Sequence, residues 1–490
     1  MDALSYVCEH KIDGVKVILE YERGRFVRAA TRGDGMTGED VTHTVRTIRD
    51  IPQTLKKPLS LIVAGEALFS QKEFARINKG RERSGEPFFA NPRNAAAGTL
   101  RQLDASVAAA RKIETYIYDL DFLEEARGRE EPRTQVEELV FLRALGFRVN
   151  PHFKECGNAD EIVAYYNHWL VREARLPYAA DGVVVKVDDI AHQRALGHTA
   201  RAPRYGIAYK FPSEQATSVI EGIALQVGRT GVITPVAHLA PVRIAGSVVS
   251  RATLHNEDQI KRLDVRVGDT VILQKAGDII PEILSVVTEL RRKGAKPYQF
   301  PKRVPECGGD GRIERIAGTT AYRCIVRGSG IQHRRRLYHF ASKQAFDIAG
   351  LGSKTIDLLL DRGLVNAPAD FFTLTAGDLA GLPGFQRKAI DNLLDAIQKA
   401  RRVPFYRLLI ALSIDHVGEE TARILAERFR TLSALLRAPR EKLEAIDGIG
   451  GIIADALIRW REDEAQQKTL SVLLPYLSIL APEHTASARA

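Results

Sequence analysis

The chain has 490 residues, enough for three or four domains. Its hydrophobic share of 45% and charged share of 27% are ordinary for a soluble protein, and no apolar run approaches the roughly 18 residues of a membrane-spanning helix. The net charge of +10 leans towards a polyanionic partner, and four cysteines without a signal-peptide pattern exclude a secreted disulfide scaffold, so a cytoplasmic protein is expected.

Five residues precede a strand with the character of a central one, Tyr6-Val7-Cys8-Glu9-His10-Lys11-Ile12, so something upstream is expected to be missing. Asp13-Gly14 turns the chain and Val15-Lys16-Val17-Ile18-Leu19 begins another strand, which predicts a hairpin with Lys11 near its tip. A lysine amine is a nucleophile only when deprotonated, and its usual pKa of about 10.4 makes that rare unless nearby cations or desolvation lower it. A solvated lysine before a turn is the plainer reading of Lys-x-Asp-Gly alone.

Val27 to Thr31 reads as a strand leading into Arg32-Gly33-Asp34-Gly35, either an ordinary turn or a tight loop whose Arg32 forks onto a phosphate or carboxylate. Glu39 to Arg49 reads as a short helix. Leu61 to Phe69 is an apolar strand carrying Glu66, a carboxylate that needs a partner there, whether a salt bridge or a ligand. In Asn91 to Asp104, Arg93 and Arg101 stand about two helical turns apart on small residues. That surface suits a pyrophosphate or a nucleic-acid backbone; a tightly packed helix with solvated arginines is the alternative.

Thr115 to Leu120 reads as a strand; Thr134 to Leu145, with a Thr134/Glu137 capping box, and Asp160 to Leu170 read as amphipathic helices. Asp181-Gly182-Val183-Val184-Val185-Lys186-Val187 and Ala208-Tyr209-Lys210-Phe211-Pro212 are strands with a lysine inside each. Lysines in apolar strands want partners, so Lys11, Lys186 and Lys210 are expected to converge on one anion, two of them depressing the pKa of the third.

Short strands with turn signals over Gln226–Val236, Val248–Asn256, Arg266–Leu273 and Gly277–Pro281 predict a small β-barrel, with Arg229 either capping a turn or meeting phosphate. After residue 345 a pattern, hydrophobic-x-Gly-hydrophobic-Gly, begins at Ile348, Leu382, Ile414 and Ile446, a repeat of roughly 32–34 residues. Each copy precedes an apolar helix. This is the helix-hairpin-helix pattern, whose glycines (Gly350, Gly352, Gly384, Gly418, Gly448, Gly450) let backbone N–H groups meet a DNA phosphate; a plain helical bundle is the alternative. Gln386 and His416 replace glycines, which marks copies two and three as more structural than DNA-touching.

Together these motifs resemble the bacterial NAD-dependent DNA ligases from Tyr6 to about Leu474. The resemblance implies a multidomain α+β protein: a nucleotidyltransferase (adenylation) domain over 1–215, an OB-fold β-barrel over 216–300 and a small degenerate zinc-finger-like module over 301–340. A helix-hairpin-helix array over 341–475 and a disordered tail over 476–490 follow. In that family the motif lysine attacks the α-phosphate of NAD, expels nicotinamide mononucleotide and passes AMP to the 5′-phosphate of nicked double-stranded DNA, whose 3′-hydroxyl then displaces it.

The resemblance assigns the nucleophile to Lys11 and adenosine contacts to Glu9, Arg32 and Glu66. It gives metal and phosphate organisation to Asp181 and the α-phosphate to Lys186 and Lys210. Arg93, Arg101 and Arg229 would serve DNA, with Mg²⁺ screening the phosphates.

Three departures stand out. The family's nicotinamide-mononucleotide-binding first domain and its closing BRCT domain are not seen, so a separate domain or chain is a candidate partner of this expected monomer. Ala64 stands where the family usually has an arginine. Of four zinc thiolates only Cys307 and Cys324 remain, with Val304 and Gly330 at the other positions; two thiolates cannot close a tetrahedral site, and Arg334-Arg335-Arg336 would still face phosphate. The alternatives are an adenylation-defective relative that seals only pre-adenylated nicks or only binds DNA, and an ATP-dependent nucleotidyltransferase, against which the array and the Asn91–Asp104 stretch argue.

Overall fold

The computed structural model describes residues 4–33, 37–124, 131–199, 202–276, 280–326 and 328–482. The chain divides into two compact units, Met1–Gln215 with Arg243–Val248, and Ala216–Val242 with Val249–Ala490.

The first unit is built on two four-stranded antiparallel sheets. One has the order β6-β1-β7-β8, from β1 (Tyr6–Ile12), β6 (Lys154–Cys156), β7 (Ala180–Val187) and β8 (Gly206–Lys210). The other has the order β3-β2-β4-β5, from β2 (Val15–Glu22), β3 (Arg25–Thr31), β4 (Leu61–Leu68) and β5 (Glu114–Leu123). The expected hairpin at Lys11 does not form, because β1 and β2 lie in different sheets. Asp13 and Gly14 carry the chain from one sheet to the other. The Asp13 amide donates to the Ala179 carbonyl, and Gly14 passes so close to β4 that a Cβ there would sit 2.6 Å from the Ala67 carbonyl oxygen. The Asp-Gly pair marks a close approach here, not the turn of a two-residue hairpin.

Strand periodicity gives β1 two jobs. Val7 is opposite Lys186, Glu9 opposite Val184 and Lys11 opposite Gly182, so these share one face. Cys8 is on the other face, in a core with Cys156, Tyr165, Tyr166, Val183, Val185 and Phe211. A larger core of Val17, Leu19, Tyr21, Leu61, Val63, Leu139, Leu142 and Leu145 fills the second sheet and its helices. Half of the expected capping box opens the helix Gln135–Leu145: the Thr134 hydroxyl accepts from the Glu137 amide, but the Glu137 carboxylate accepts from the Arg133 N–H and not from that of Thr134. The expected helix over Glu39–Arg49 shrinks to Thr42–Val45.

β9 (Gln215–Val227), β10 (Val232–Ile244), β11 (Ser247–Thr253), β12 (Thr270–Ala276) and β13 (Ile280–Val286), which fall in the second unit apart from Gln215 and residues 243–248, run in the order β11-β13-β12-β9-β10, and β11 also pairs with β10. That closes a five-stranded barrel, the OB-fold expected from the short strands. The expected strand over Gly277–Pro281 falls partly outside the described residues. β14 (Ile313–Arg315) and β15 (Tyr322–Cys324) form a hairpin that extends the sheet from β10.

Here the expected half zinc site is corrected: Cys307 and Cys324 are joined in a disulfide. Their sulfurs are bonded to each other and packed with Val227, Ile233 and Val304, so they offer no thiolate to a metal. Arg334 does not stand free for phosphate either; it is paired with Asp357 and Asp361.

The four repeats all fold alike. Gly350, Gly384 and Gly448 take positive φ, and His416 takes the same left-handed conformation at φ 63° in the third copy. Helices follow over Ser353–Asp361, Arg387–Ala400, Glu419–Phe429 and Gly451–Glu462. Replacement of glycine thus leaves copies two and three with the same hairpin backbone. Ser478–Leu480 pairs with Arg402–Pro404, so ordered structure runs into the expected tail; residues 483–490 lie outside the described residues.

Candidate active site

Lys11, at the end of β1, points its amine at Asp181, with both carboxylate oxygens 2.7 Å away. Lys210, on β8, reaches the same carboxylate at 2.9 Å. A bulge places Asp181 there: the β1–β7 register slips between Lys11 and Ile12, which leaves Asp181 without a partner on β1. Gly182 is required beside it, since a Cβ would lie 2.4 Å from the Tyr209 carbonyl oxygen of β8. Burial pushes the Asp181 carboxyl up, but the Lys11 and Lys210 ammoniums more than offset it and hold it below the usual carboxylate range.

Lys186 is on the same face further along β7, and it does not join this pair. Its amine is 2.9 Å from Glu9 and donates to the Tyr118 carbonyl at 3.1 Å. Both side chains are 10% exposed, whereas Lys11 is 24% and Lys210 36% exposed, so the latter two are the accessible amines. Burial favours neutral Lys186, but Glu9, Asp119 and Glu138 outweigh it and raise its pKa. The expectation of three amines around one phosphate is therefore corrected to two pairs: Lys11 and Lys210 across Asp181, and Lys186 with Glu9. The carboxylates explain the difference, since each draws the amines nearest to it.

Glu66 on β4 accepts from the Tyr118 hydroxyl at 3.4 Å. Burial pushes its carboxyl up to about 7, with Arg93 and Lys11 opposing. Arg93 bonds Asp13 at 3.2 Å, so the arginine, the motif aspartate and Glu66 surround the crossover between the sheets. Arg101 is held apart, paired with Glu39 at 2.9 Å. The alanines between the arginines do not form an open phosphate surface: Ala95 and Ala96 are fully buried in the core, and both arginines are exposed. Arg32 is exposed just beyond β3; Asp34 and Gly35 of its loop lie outside the described residues.

Several residues escaped the sequence reading. His10 faces the core with its Nδ1 2.8 Å from the Tyr178 hydroxyl and its ring edge-on to Trp169; burial pushes it down to about 3, His152 adding. Tyr118, Gln135, Glu138 and Gln193 gather beside Lys186. Only the helical spacing of Gln135 and Glu138 hinted at a shared face. In the second unit Arg229 is exposed between β9 and β10, and Gly352, Gly418 and Gly450 open three of the four helices described above, Gln386 opening the other.

An antiparallel sheet that presents a lysine amine beside a carboxylate and a second lysine, in a chain that continues into an OB-fold barrel, defines a nucleotidyltransferase. A family model for the NAD-dependent DNA ligase adenylation domain matches residues 1–214, and one for the NAD-dependent DNA ligase OB-fold domain matches 217–295. Helix-hairpin-helix models match 344–399 and 407–470.

A DNA ligase of Halalkalibacterium halodurans is 45% identical over 461 residues, 94% of this chain and 68% of the relative. One of Pelotomaculum thermopropionicum is 45% identical over 480 residues, 96% of this chain and 70% of the relative. One of Heliobacterium modesticaldum is 47% identical over 458 residues, 93% and 67%. The chain belongs to the NAD-dependent DNA ligase family.

Proposed function

We propose that this chain seals single-strand nicks in duplex DNA through a lysyl-AMP intermediate, with NAD as AMP donor. The observation that carries the reading is the Lys11–Asp181–Lys210 set, a nucleophile and an accessible cation arranged about one carboxylate. The Lys11 Nζ attacks the α-phosphorus of NAD; a P–N bond forms, a P–O bond breaks, and nicotinamide mononucleotide leaves. Lys210 turns from Asp181 to the phosphate as charge builds there. The burial of Asp181 is then less fully offset, its carboxyl becomes more basic, and it takes the proton that Lys11 must shed.

The adjacent ammonium of Lys186 and carboxylate of Glu9 suit adenine, whose edge carries an acceptor beside a donor, and Glu66 suits the ribose hydroxyls. Arg32 and Arg93 are proposed for the nucleotide and the nick, with Arg101 and Arg229 for DNA phosphates. Mg²⁺ neutralises phosphate charge when bound; Asp181 is the carboxylate beside the two accessible amines, so the ion would be held mainly by phosphate oxygens and water. No helix among the described residues is long and apolar enough to cross a membrane, and a cytoplasmic monomer on nicked duplex fits the family.

The test is a nicked duplex with a labelled 5′-phosphate, incubated with the chain, NAD and Mg²⁺, beside the same nick already carrying AMP. Sealing of both supports the proposal. Sealing of the pre-adenylated nick alone favours the relative that cannot adenylate itself. Sealing of neither leaves a DNA-binding protein.

A further inference from the structure

Among the described residues β5 is an edge strand of its sheet, and no strand pairs with its outward backbone groups. Its ladder with β4 slips twice, leaving Tyr118 and Asp121 unopposed. The helix Gln135–Leu145 and β7 supply what the missing strand would. The Tyr118 carbonyl accepts from Lys186 at 3.1 Å and from the Gln135 amide nitrogen at 3.3 Å. The Leu120 N–H donates to Glu138 at 3.0 Å, and Gln135 donates to the same Glu138 oxygen at 3.4 Å. Gln193 continues the chain, donating to Gln135 at 3.1 Å and to the Val187 carbonyl at 2.6 Å.

Gln135, Glu138, Gln193, Lys186 and Glu9 are all buried residues. A buried carboxyl is a costly way to cap an edge strand unless its position matters.

We propose that Glu138 and Gln135 are positioning residues of the nucleotide pocket, fixing the outer edge of β5 so that the Tyr118 carbonyl holds the Lys186 amine against Glu9 in the geometry that receives adenine. This rests on the reading of Glu9 and Lys186 as the adenosine contact. Neither Glu138 nor Gln135 touches the nucleotide; both act through Tyr118 and Leu120.

The charged and titratable groups facing Glu138 are Asp119 on β5, Lys186 on β7, Glu9 on β1 and Tyr205 before β8. Burial pushes the Glu138 carboxyl up to about 8, Asp119 adding and Lys186 opposing. At neutral pH it keeps its proton, and Lys186 answers to Glu9 and Asp119. Above about pH 8 a third carboxylate draws on the same ammonium and loosens its hold on Glu9.

The experiment is calorimetric titration of AMP into the full chain at pH 7 and pH 9, for the wild type, Glu138→Gln, Glu138→Ala and Gln135→Leu. Thermal melting and nicked-duplex affinity serve as folding controls. Glu138→Ala and Gln135→Leu should weaken AMP binding about tenfold at pH 7 with duplex affinity unchanged. Glu138→Gln, the neutral isostere, should bind within about twofold of wild type at pH 7 and escape the weakening the wild type suffers at pH 9. If Glu138→Ala does not fold, the glutamine and Gln135→Leu variants carry the test. Wild-type affinity for AMP in folded Glu138→Ala or Gln135→Leu overturns the proposal, as does a loss at pH 9 in Glu138→Gln equal to that of the wild type. A wild type that binds no AMP overturns the adenosine pocket itself, a distinct failure.

Discussion

Two contacts and a backbone irregularity fix the position of Asp181. It lies between two ammoniums, and a bulge directs it there. Glu66 is the opposite case, a carboxylate whose burial outweighs its cations and pushes it up to about 7 against an ordinary 4.5. The sign of its effect on stability follows. Below about pH 4 both the folded and the unfolded chain keep the proton and nothing is lost. Between 4.5 and 7 the unfolded chain ionises first, so folding is increasingly penalised, and above 7 the penalty is constant. Glu66→Gln removes it. The thermal midpoint of the variant should match the wild type near pH 4 and exceed it above pH 7, by at most about 3 kcal/mol of stability. A gain of the same size at both pH values would contradict this account of Glu66.

At the scale of elements, β1 was legible as a strand, since its alternation of Val7, Glu9 and Lys11 with Cys8 and His10 is the pattern of a strand with two different faces. Its partner was not. Asp13-Gly14 carries the signature of a two-residue hairpin, and only the approach to Ala67 of β4 reveals why the glycine is needed. Spacing also could not foresee that Asp181 separates Lys11 from the positive charge of Lys210, because the bulge that turns it inward leaves no mark in composition. The cysteine hairpin is a second such case. That Cys307 and Cys324 are too few thiolates to close a zinc site was readable in the sequence, but their pairing depends on their meeting in three dimensions. Closing that loop contributes about 3 kcal/mol. Thiol titration of the unfolded, unreduced chain should find two reactive thiols, from Cys8 and Cys156. Four would mean the disulfide is absent.

Across the whole molecule, order along the chain carried the most information. A Lys-x-Asp-Gly strand, a glutamate strand, two lysine strands, short barrel strands and four glycine hairpins recur in the sequence as the elements recur in the two units. Domain identity is legible in this way because periodicity and turn residues are local properties. Pairing of charges is not local, and Glu138, 48 residues before Lys186 in the chain, entered the site only through folding.

Every later step of sealing depends on Lys11 being the residue that carries AMP. Intact-mass spectrometry of the full chain after incubation with NAD and Mg²⁺, beside Lys11→Ala and beside wild type given ATP, tests it most directly. The wild type should gain one AMP with NAD and none with ATP, and Lys11→Ala should gain none under either nucleotide. An AMP adduct that persists in Lys11→Ala would contradict it.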